Sequence, residues 1–524
     1  MASRPRQVQR VRRTRAAAMV VTPAIGALLV AVWAIRLSAA VISVPADGNL
    51  QAALDQARPG DTILLKAGAT YTGNFVLPAK NGDRPILIRT SAFDRRLPVE
   101  GGRIDPTFAS LMPKLKSPNS QPILRTAPGA SHWRIMLVEF VGNGSNNDMI
   151  VLGDGSSAQR TIESMPTDLV LDRLLVRGDA EKGQKRGISL NSGSTSIRNS
   201  YIANIKSVGQ ESQAIAGWNG SGPYLIENNF LEAAGVNILF GGADPSIPEL
   251  IPTDITIRRN HITKNPEWQG SNWTVKNLLE LKLGRRVLIE GNLIEYCWTA
   301  AQPGYAVLFT VRNQDGRAPW STIEDVVLRN NLVRHSAGGI NILGTDSNAP
   351  SATASKIAIT NNLFHDINHR EWGGNGAFLL IGGKATNVTV DHNTVLHSGN
   401  LVTAYGDTRG TPDPMPGFRF TNNLAQHNAN GVFGNAIGVG NQAIAAYFPD
   451  GLVRANVLAG GQSSRYPAGN FFPSVTQFMT DFVDANKGDF RLSPRSAYRR
   501  AGTDGGDLGV NHDQLNRALE AQDR

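Results

Sequence analysis

Ile226-Glu-Asn-Asn229-Phe-Leu231, Ile257-Arg-Arg-Asn260-His-Ile262 and Ile289-Glu-Gly-Asn292-Leu-Ile294 share one frame. An apolar residue is followed by two variable residues, an asparagine, any residue and a second apolar residue. The frame returns at Leu328–Val333 around Asn331, Ile359–Phe364 around Asn362 and Val390–Val395 around Asn393, with further copies at Asn423 and Asn456. The eight asparagines are spaced by 31, 32, 39, 31, 31, 30 and 33 residues. The same frame stands upstream around Ser200, Leu174 and Val138.

A strand rises about 3.3 Å per residue, so some 30 residues suit three short strands and their turns, which is one coil of a solenoid. The units are strand-like, with β-branched residues two apart and Gly or Asn at corners, which argues against a helical array. A leucine-rich horseshoe needs a denser leucine pattern. Coils stacked in parallel lie about 4.8 Å apart, and parallel crossovers are right-handed. The expected fold is therefore all-β: a right-handed parallel β-helix of about 10–12 coils. The repeated Asn belongs at a bend, where stacked amides satisfy one another and the backbone. Its role is structural.

The flanks complete the expected layout. Asn49-Leu-Gln-Ala-Ala-Leu-Asp-Gln-Ala57 has helical spacing and predicts a short helix over the open end of the first coil. We divide the chain into a leader (1–40), a cap with the first coil (41–80), the β-helix (81–465) and a C-terminal capping segment or flap (466–524).

Six arginines between Arg4 and Arg15 precede an apolar stretch from Ala16 to Ile35, and Ser38 and Ala40 fit a cut before Val41. That order is a secretory signal, or an uncleaved membrane anchor, and implies a secreted, periplasmic or envelope protein. It also disposes of the net charge. Removing those six and Arg36 from +9 leaves +2, so the body lacks the positive field that nucleic acid requires. Membrane contact is expected only through the leader, and the body is expected to be a monomer. The single cysteine, Cys297, rules out an internal disulfide and a Cys-based zinc site.

The opening Asn49-Leu-Gln-Ala-Ala-Leu-Asp…Pro59-Gly-Asp-Thr-Ile-Leu-Leu65, then Gly73 and Pro85-Ile-Leu-Ile88, resembles that of pectate-lyase-like right-handed β-helix proteins. Within that superfamily it is most similar to the alginate lyase and chondroitinase B group. The tail Gly488-Asp-Phe-Arg-Leu-Ser-Pro494 with Ala501-Gly-Thr-Asp-Gly-Gly-Asp-Leu508 resembles the close of many secreted β-helix proteins. The likeness runs over roughly residues 42–510. It implies the fold and a polysaccharide partner, while the superfamily's chemistry is varied. The paired aspartates of polygalacturonases and the Asp-Pro-His-Glu of alginate epimerases are absent from the chain.

The connections that follow the strand before each asparagine unit vary most, and on a solenoid they stack on one side. They bring Trp218, Asn219, Asp244, Glu280, Lys282, Arg312, Asn313, Gln314, Asp315, Asp346, Asp407 and Arg409 to one face. Aromatic, amide, acid and cation together suit a sugar chain. With Leu279 and Leu281 inward, Glu280 and Lys282 face out; with Phe309 and Val311 inward, so do Thr310 and Arg312. Lys282 and Arg312 are then expected side by side on successive coils, about 5 Å apart. Two cations that close ease proton loss from the lysine.

A β-elimination on an acidic polysaccharide needs a base, a cation for the uronate carboxylate and an acid for the leaving oxygen. Lys282 is the candidate base and Arg312 the neutraliser or acid. Trp218, Asn219, Asp244, Glu280, Asn313, Gln314 and Asp315 are the candidate sugar contacts. In the resembled lyases a Lys and an Arg on neighbouring coils fill such roles.

The same residues also allow a plain charge ladder, with Glu280 paired to Lys282 or Arg312. That would suit a non-catalytic glycan-binding or cell-surface β-helix. A hydrolase or esterase would need two converging carboxylates, Asp244 and Asp315 being nearest. Ca²⁺ is the one cofactor with candidate ligands, Asp244, Asp315 and Asp346, although Gly-Asp and Asp-Gly pairs are also turn formers. Trp218 and Trp320 stack sugars or plug loops. His335, His397 and His427 each follow a repeat asparagine by four residues, with His365 one position off, and read as turn-lining donors before metal ligands.

Overall fold

A computed structural model describes residues 39–145, 148–407 and 410–520. The leader up to Ser38 and the site candidate Arg409 lie outside the described residues. Three long sheets wind round one axis, with 14, 13 and 13 strands. Sheet A holds strands such as Gly222–Glu227, Thr253–Arg258 and Gly284–Glu290. Sheet B follows each across the asparagine, as in Phe230–Ala233, His261–Thr263 and Leu293–Cys297. Sheet C closes the coil with Val236–Phe240, Leu279–Leu281 and Tyr305–Thr310. Sheet C's thirteen strands less the antiparallel Gly438–Val439 make twelve complete coils among the described residues. The chain is a right-handed parallel β-helix.

Inward positions stack in register from coil to coil. Ile197, Ile226, Ile257, Ile289, Leu328, Ile359 and Val390 face one another along sheet A, all fully buried. Each such side chain contributes about 1.5–3 kcal/mol on burial, so the solenoid gains core with every turn and needs no disulfide.

The corner between sheets A and B explains the repeat. The residue before each asparagine has a positive φ, 53° at Asn228, 57° at Arg259 and 63° at Gly291. This left-handed step turns the chain and points the next side chain inward. Asn229 Nδ2 donates to Asn260 Oδ1 (3.0 Å) and to the Ile197 carbonyl (2.9 Å). The same pattern runs through Asn292, Asn331, Asn362, Asn393, Asn423 and Asn456. It ends at Asn470, only 14 residues beyond Asn456, where residues 467–473 add a short final rung.

The helix Leu50–Gln56 covers the first coil with Leu50, Ala53 and Leu54 in the core. Gln51 exchanges two hydrogen bonds with Val76, so its amide pairs the open edge of strand Phe75–Leu77 as a neighbouring strand would. The opposite end is closed by the helix Asn441–Tyr447, which buries Ala443, Ile444 and Tyr447. That cap lies inside the stretch that we assign from sequence to the β-helix. The tail does something else. It packs Phe478, Phe482 and Phe490 against sheet B and then runs back along the asparagine corner. Gly509 donates to the Asn422 carbonyl, Val510 to Thr394 Oγ1 and Asn511 to Asn361 Oδ1. The seven-residue helix has too little polar sequence around it to stand out from the solenoid, which is why its capping role is not legible in the pattern.

Candidate active site on the outer face of sheet C

The strand Leu279–Leu281 and the residue after it carry the centre of the site. Leu279 and Leu281 are fully buried, and Glu280 sits in register between Leu239 and Leu308 on the outer face. Burial raises the Glu280 carboxyl above the usual range, against the pull of Lys282 and a hydrogen bond with Asn277. Lys282 follows, half-buried, with Nζ 3.4 Å from Gln314 Oε1. It emerges over Gly241, where a Cβ would stand 2.5 Å from that of Lys282. Gly241 has φ +125°, so the glycine provides both the backbone turn and the space.

The expected rung between Lys282 and Arg312 is corrected by the register. Leu281 faces Phe309, which puts Thr310 beside Lys282 and Arg312 two residues farther on. The two residues are joined through the backbone instead: the Arg312 N–H donates to the Lys282 carbonyl at 2.9 Å. Counting inward and outward residues finds the face but not the place where a strand ends and the next loop crosses over. Arg312 Nη1 lies 3.5 Å from Asp346 Oδ1. Among the described residues no carboxylate stands within 4.0 Å of Lys282 and Arg312 pairs with Asp346, so the expected ladder of Glu280 with Lys282 or Arg312 does not form there.

Several expected sugar contacts are instead parts of the scaffold. Asn219 is fully buried and gives its amide to the carbonyls of Asp154, Ser156 and Gln159. Asn313 is buried, donating to the Pro350 carbonyl and accepting from Ala318. Asp244 Oδ2 accepts from the backbone of Asp315 and Arg317, and the Asp315 carboxylate turns to Arg317. Asp346 caps Asn313 and Asn348. The acids therefore brace the 313–317 loop, and Asp244 and Asp315 do not form a convergent carboxyl pair. Small polar residues near glycine serve turns and sites alike, and spacing cannot separate the two uses. Trp218 is half-buried: its Nε1 donates to the Gly155 carbonyl, and Arg186 lies 5.2 Å over its ring. Gln314 and Asp315 are exposed. The Trp320 Nε1 is buried with no hydrogen-bond partner among the described residues.

Three side chains without a role in the sequence reading belong to this face. The Tyr405 ring lies over Gly382, and burial pushes its phenol up to about 12 while the Arg312 charge acts the other way. The Tyr305 ring lies over Gly338 and its hydroxyl meets Asn375. Asn341 follows Leu308 in the outer column of Glu280, and its Oδ1 is buried with no hydrogen-bond partner among the described residues. The signal for the two tyrosines is a glycine on the neighbouring coil, and it is read only once the register is known.

Of the histidines, His335 and His365 meet edge-on across successive coils, with ring centroids 6.0 Å apart. His335 bonds Asp366 and stacks on Tyr296, His427 bonds Tyr466, and burial lowers His365 and His397 to about 4. His369 opens a one-turn helix, His369–Trp372, while His365 stays in the preceding strand. Among the described residues no group of three or more His, Cys, Asp or Glu side chains is placed to hold a metal ion.

No protein-family model matches the chain, and neither does any curated protein. Solved structures do match. One is a mutant of a family 6 alginate lyase (13% identity, TM-score 0.49, covering 92% of this chain and 58% of that one). Another is the catalytic unit of an α-1,3-glucanase from Streptomyces thermodiastaticus (15%, 0.48, 83% and 70%). A third is an alginate lyase from Paenibacillus (16%, 0.32, 83% and 98%). At these identities the likeness is one of fold.

Proposed function

We propose that the protein acts on polysaccharide, as a lyase that cleaves an acidic, uronate-containing chain by β-elimination. The observation that carries this reading is Lys282: an amine on the outer face, with no carboxylate within 4.0 Å among the described residues, beside a coil that supplies Arg312. Lys282 takes the proton next to the uronate carboxylate. Arg312 neutralises that carboxylate as charge builds, and Gln314 orients the sugar. Tyr405 gives its proton to the departing oxygen, a role suited to a phenol held up to about 12. In the step one C–H and one C–O bond break, a C=C bond forms, and the proton count balances between Lys282 and Tyr405.

The test is the ultraviolet absorbance of the unsaturated uronate, followed with purified protein on a panel of uronate polymers, with and without Ca²⁺. Product that vanishes in Lys282→Ala supports the reading. Absence of product on every polymer overturns it and moves the weight to plain glycan binding.

A further inference from the structure

Beneath this face, at the corner between sheets B and C, lies a side chain that the proposed chemistry does not use. Lys264 follows the strand His261–Thr263 and is fully buried. Its Nζ is surrounded by five oxygens: the carbonyls of Ala233 (3.1 Å), Ala234 (2.9 Å), Gly235 (2.8 Å) and Asn277 (2.9 Å), and Asn237 Oδ1 (3.3 Å). Among the described residues no carboxylate lies within 4.0 Å of it, as an ordinary buried ion pair would require.

An ammonium has three protons, so five oxygens exceed what it can hydrogen-bond. The surplus is held by charge alone. Three consecutive carbonyls turned to one point would repel one another without a cation among them. The amide of Asn237 is oriented for the same purpose: its Nδ2 donates to the Leu231 and Thr263 carbonyls, which leaves Oδ1 aimed at Nζ. Burial draws Lys264 down to about 7, opposed by Cys297 and Glu211. The cage therefore holds a charged group in mildly acid solution.

We propose that Lys264 is a resident cation, filling an oxygen cage of the kind that binds K⁺ or NH₄⁺, and that it positions the two sheet C strands leading to Gly241 and Lys282. Residues 233–235 run into the strand Val236–Phe240, and Asn277 leads into Leu279–Leu281. The ammonium ties the starts of these two strands to the end of the sheet B strand. Asn277 stands three residues before Glu280 and draws the Glu280 carboxyl down against its burial, so the cage adjoins the outer face. The effect on Lys282 rests on the proposed lyase reading; the cage itself does not.

The test is ion rescue in Lys264→Ala at mildly acid pH, with ammonium, potassium, sodium and choline chlorides at matched ionic strength. The variant is expected to melt on the order of ten degrees below the parent in choline. Ammonium or potassium should restore the melting temperature saturably, and choline should not. On the polymer that the parent cleaves, kcat should fall on the order of a hundredfold, as for a misplaced catalytic group, and return with the same ions while KM stays constant. Equal melting in all four salts overturns the proposal. Should Lys264→Ala fold in none of them, Lys264→Met decides: melting as the parent does overturns the proposal, and a large loss of stability with the length preserved supports it. A parent without lyase activity sinks the function and leaves the melting test intact.

Discussion

The Arg312 N–H donates to the Lys282 carbonyl at 2.9 Å, so the two cations are fixed by main chain while their side chains have different partners. Arg312 turns to Asp346 and Lys282 to Gln314. A backbone tie of this kind holds the proposed active face without tethering Lys282, which as the proposed base must change its protonation in each turnover.

From that follows the behaviour of Lys282→Ala. The side chain is half-buried and, among the described residues, bonds through a single 3.4 Å contact, so thermal unfolding should match the parent closely. Removing a general base costs about 10²–10⁴-fold in rate. We expect a fall of that size in unsaturated-uronate formation, with Lys282→Arg no better, since a guanidinium keeps its proton. A variant with activity within a few-fold of the parent would exclude Lys282 as the base.

The asparagine ladder predicts a position-dependent cost. Asn292 donates to Ile257, Glu290 and Asn331 Oδ1, and its own Oδ1 accepts from the Asn260 backbone and side chain. Asn292→Ala leaves several buried groups without partners, at about 1–3 kcal/mol each. Asn470, half-buried at the ladder's end, donates to Val453 and Pro467 and accepts from Asn456. Its alanine variant leaves part of that need to solvent. Urea titration should therefore rank Asn292→Ala as clearly the more destabilising of the two.

This ladder is also where the sequence is most legible. A repeat of eight asparagines at near-constant spacing has one physical explanation, and the register of Ile226, Ile257 and Ile289 follows from it. The site is less so. Glu280 and Lys282 are correctly read as outward because a strand alternates. Asn219 and Asn313 are misread because an amide in a loop looks the same whether it binds sugar or its own backbone. Tyr405 and Lys264 carry no local pattern: one depends on Gly382 across a coil boundary, the other on five oxygens drawn from two separate segments, 233–237 and Asn277.

Glu280 gives a pH-dependence of definite sign. Burial raises its folded pKa above the unfolded value of about 4.3. The folded state then holds the proton more tightly than the unfolded one, so the contribution is fully present below that value and is lost as pH rises through the folded pKa. Glu280→Gln removes the titration. It should equal or fall below the parent in acid and exceed it at mildly alkaline pH, as measured by melting temperature across that range. Curves that stay parallel would exclude the carboxyl as the source.

Cys297 tests the closure of the core beneath the same face. The thiol is fully buried, contacts the carbonyls of Lys276 (3.4 Å) and Tyr305 (3.6 Å), and is pushed up to about 11 by burial. Thiolate is the reactive form, and here both its formation and its access are suppressed. A thiol-reactive chromophore at neutral pH should label the native protein only as fast as the coil opens, and label it at once in urea. Because Lys276 pairs with Glu211 and its neighbour Asn277 supplies an oxygen to Lys264, an opening that exposes Cys297 must also loosen the cage. Labelling should therefore accelerate in Lys264→Ala and slow again when ammonium is added. Rates that are the same in parent and variant would mean that the thiol and the cage open independently, so that Lys264 does not hold this corner of the solenoid together.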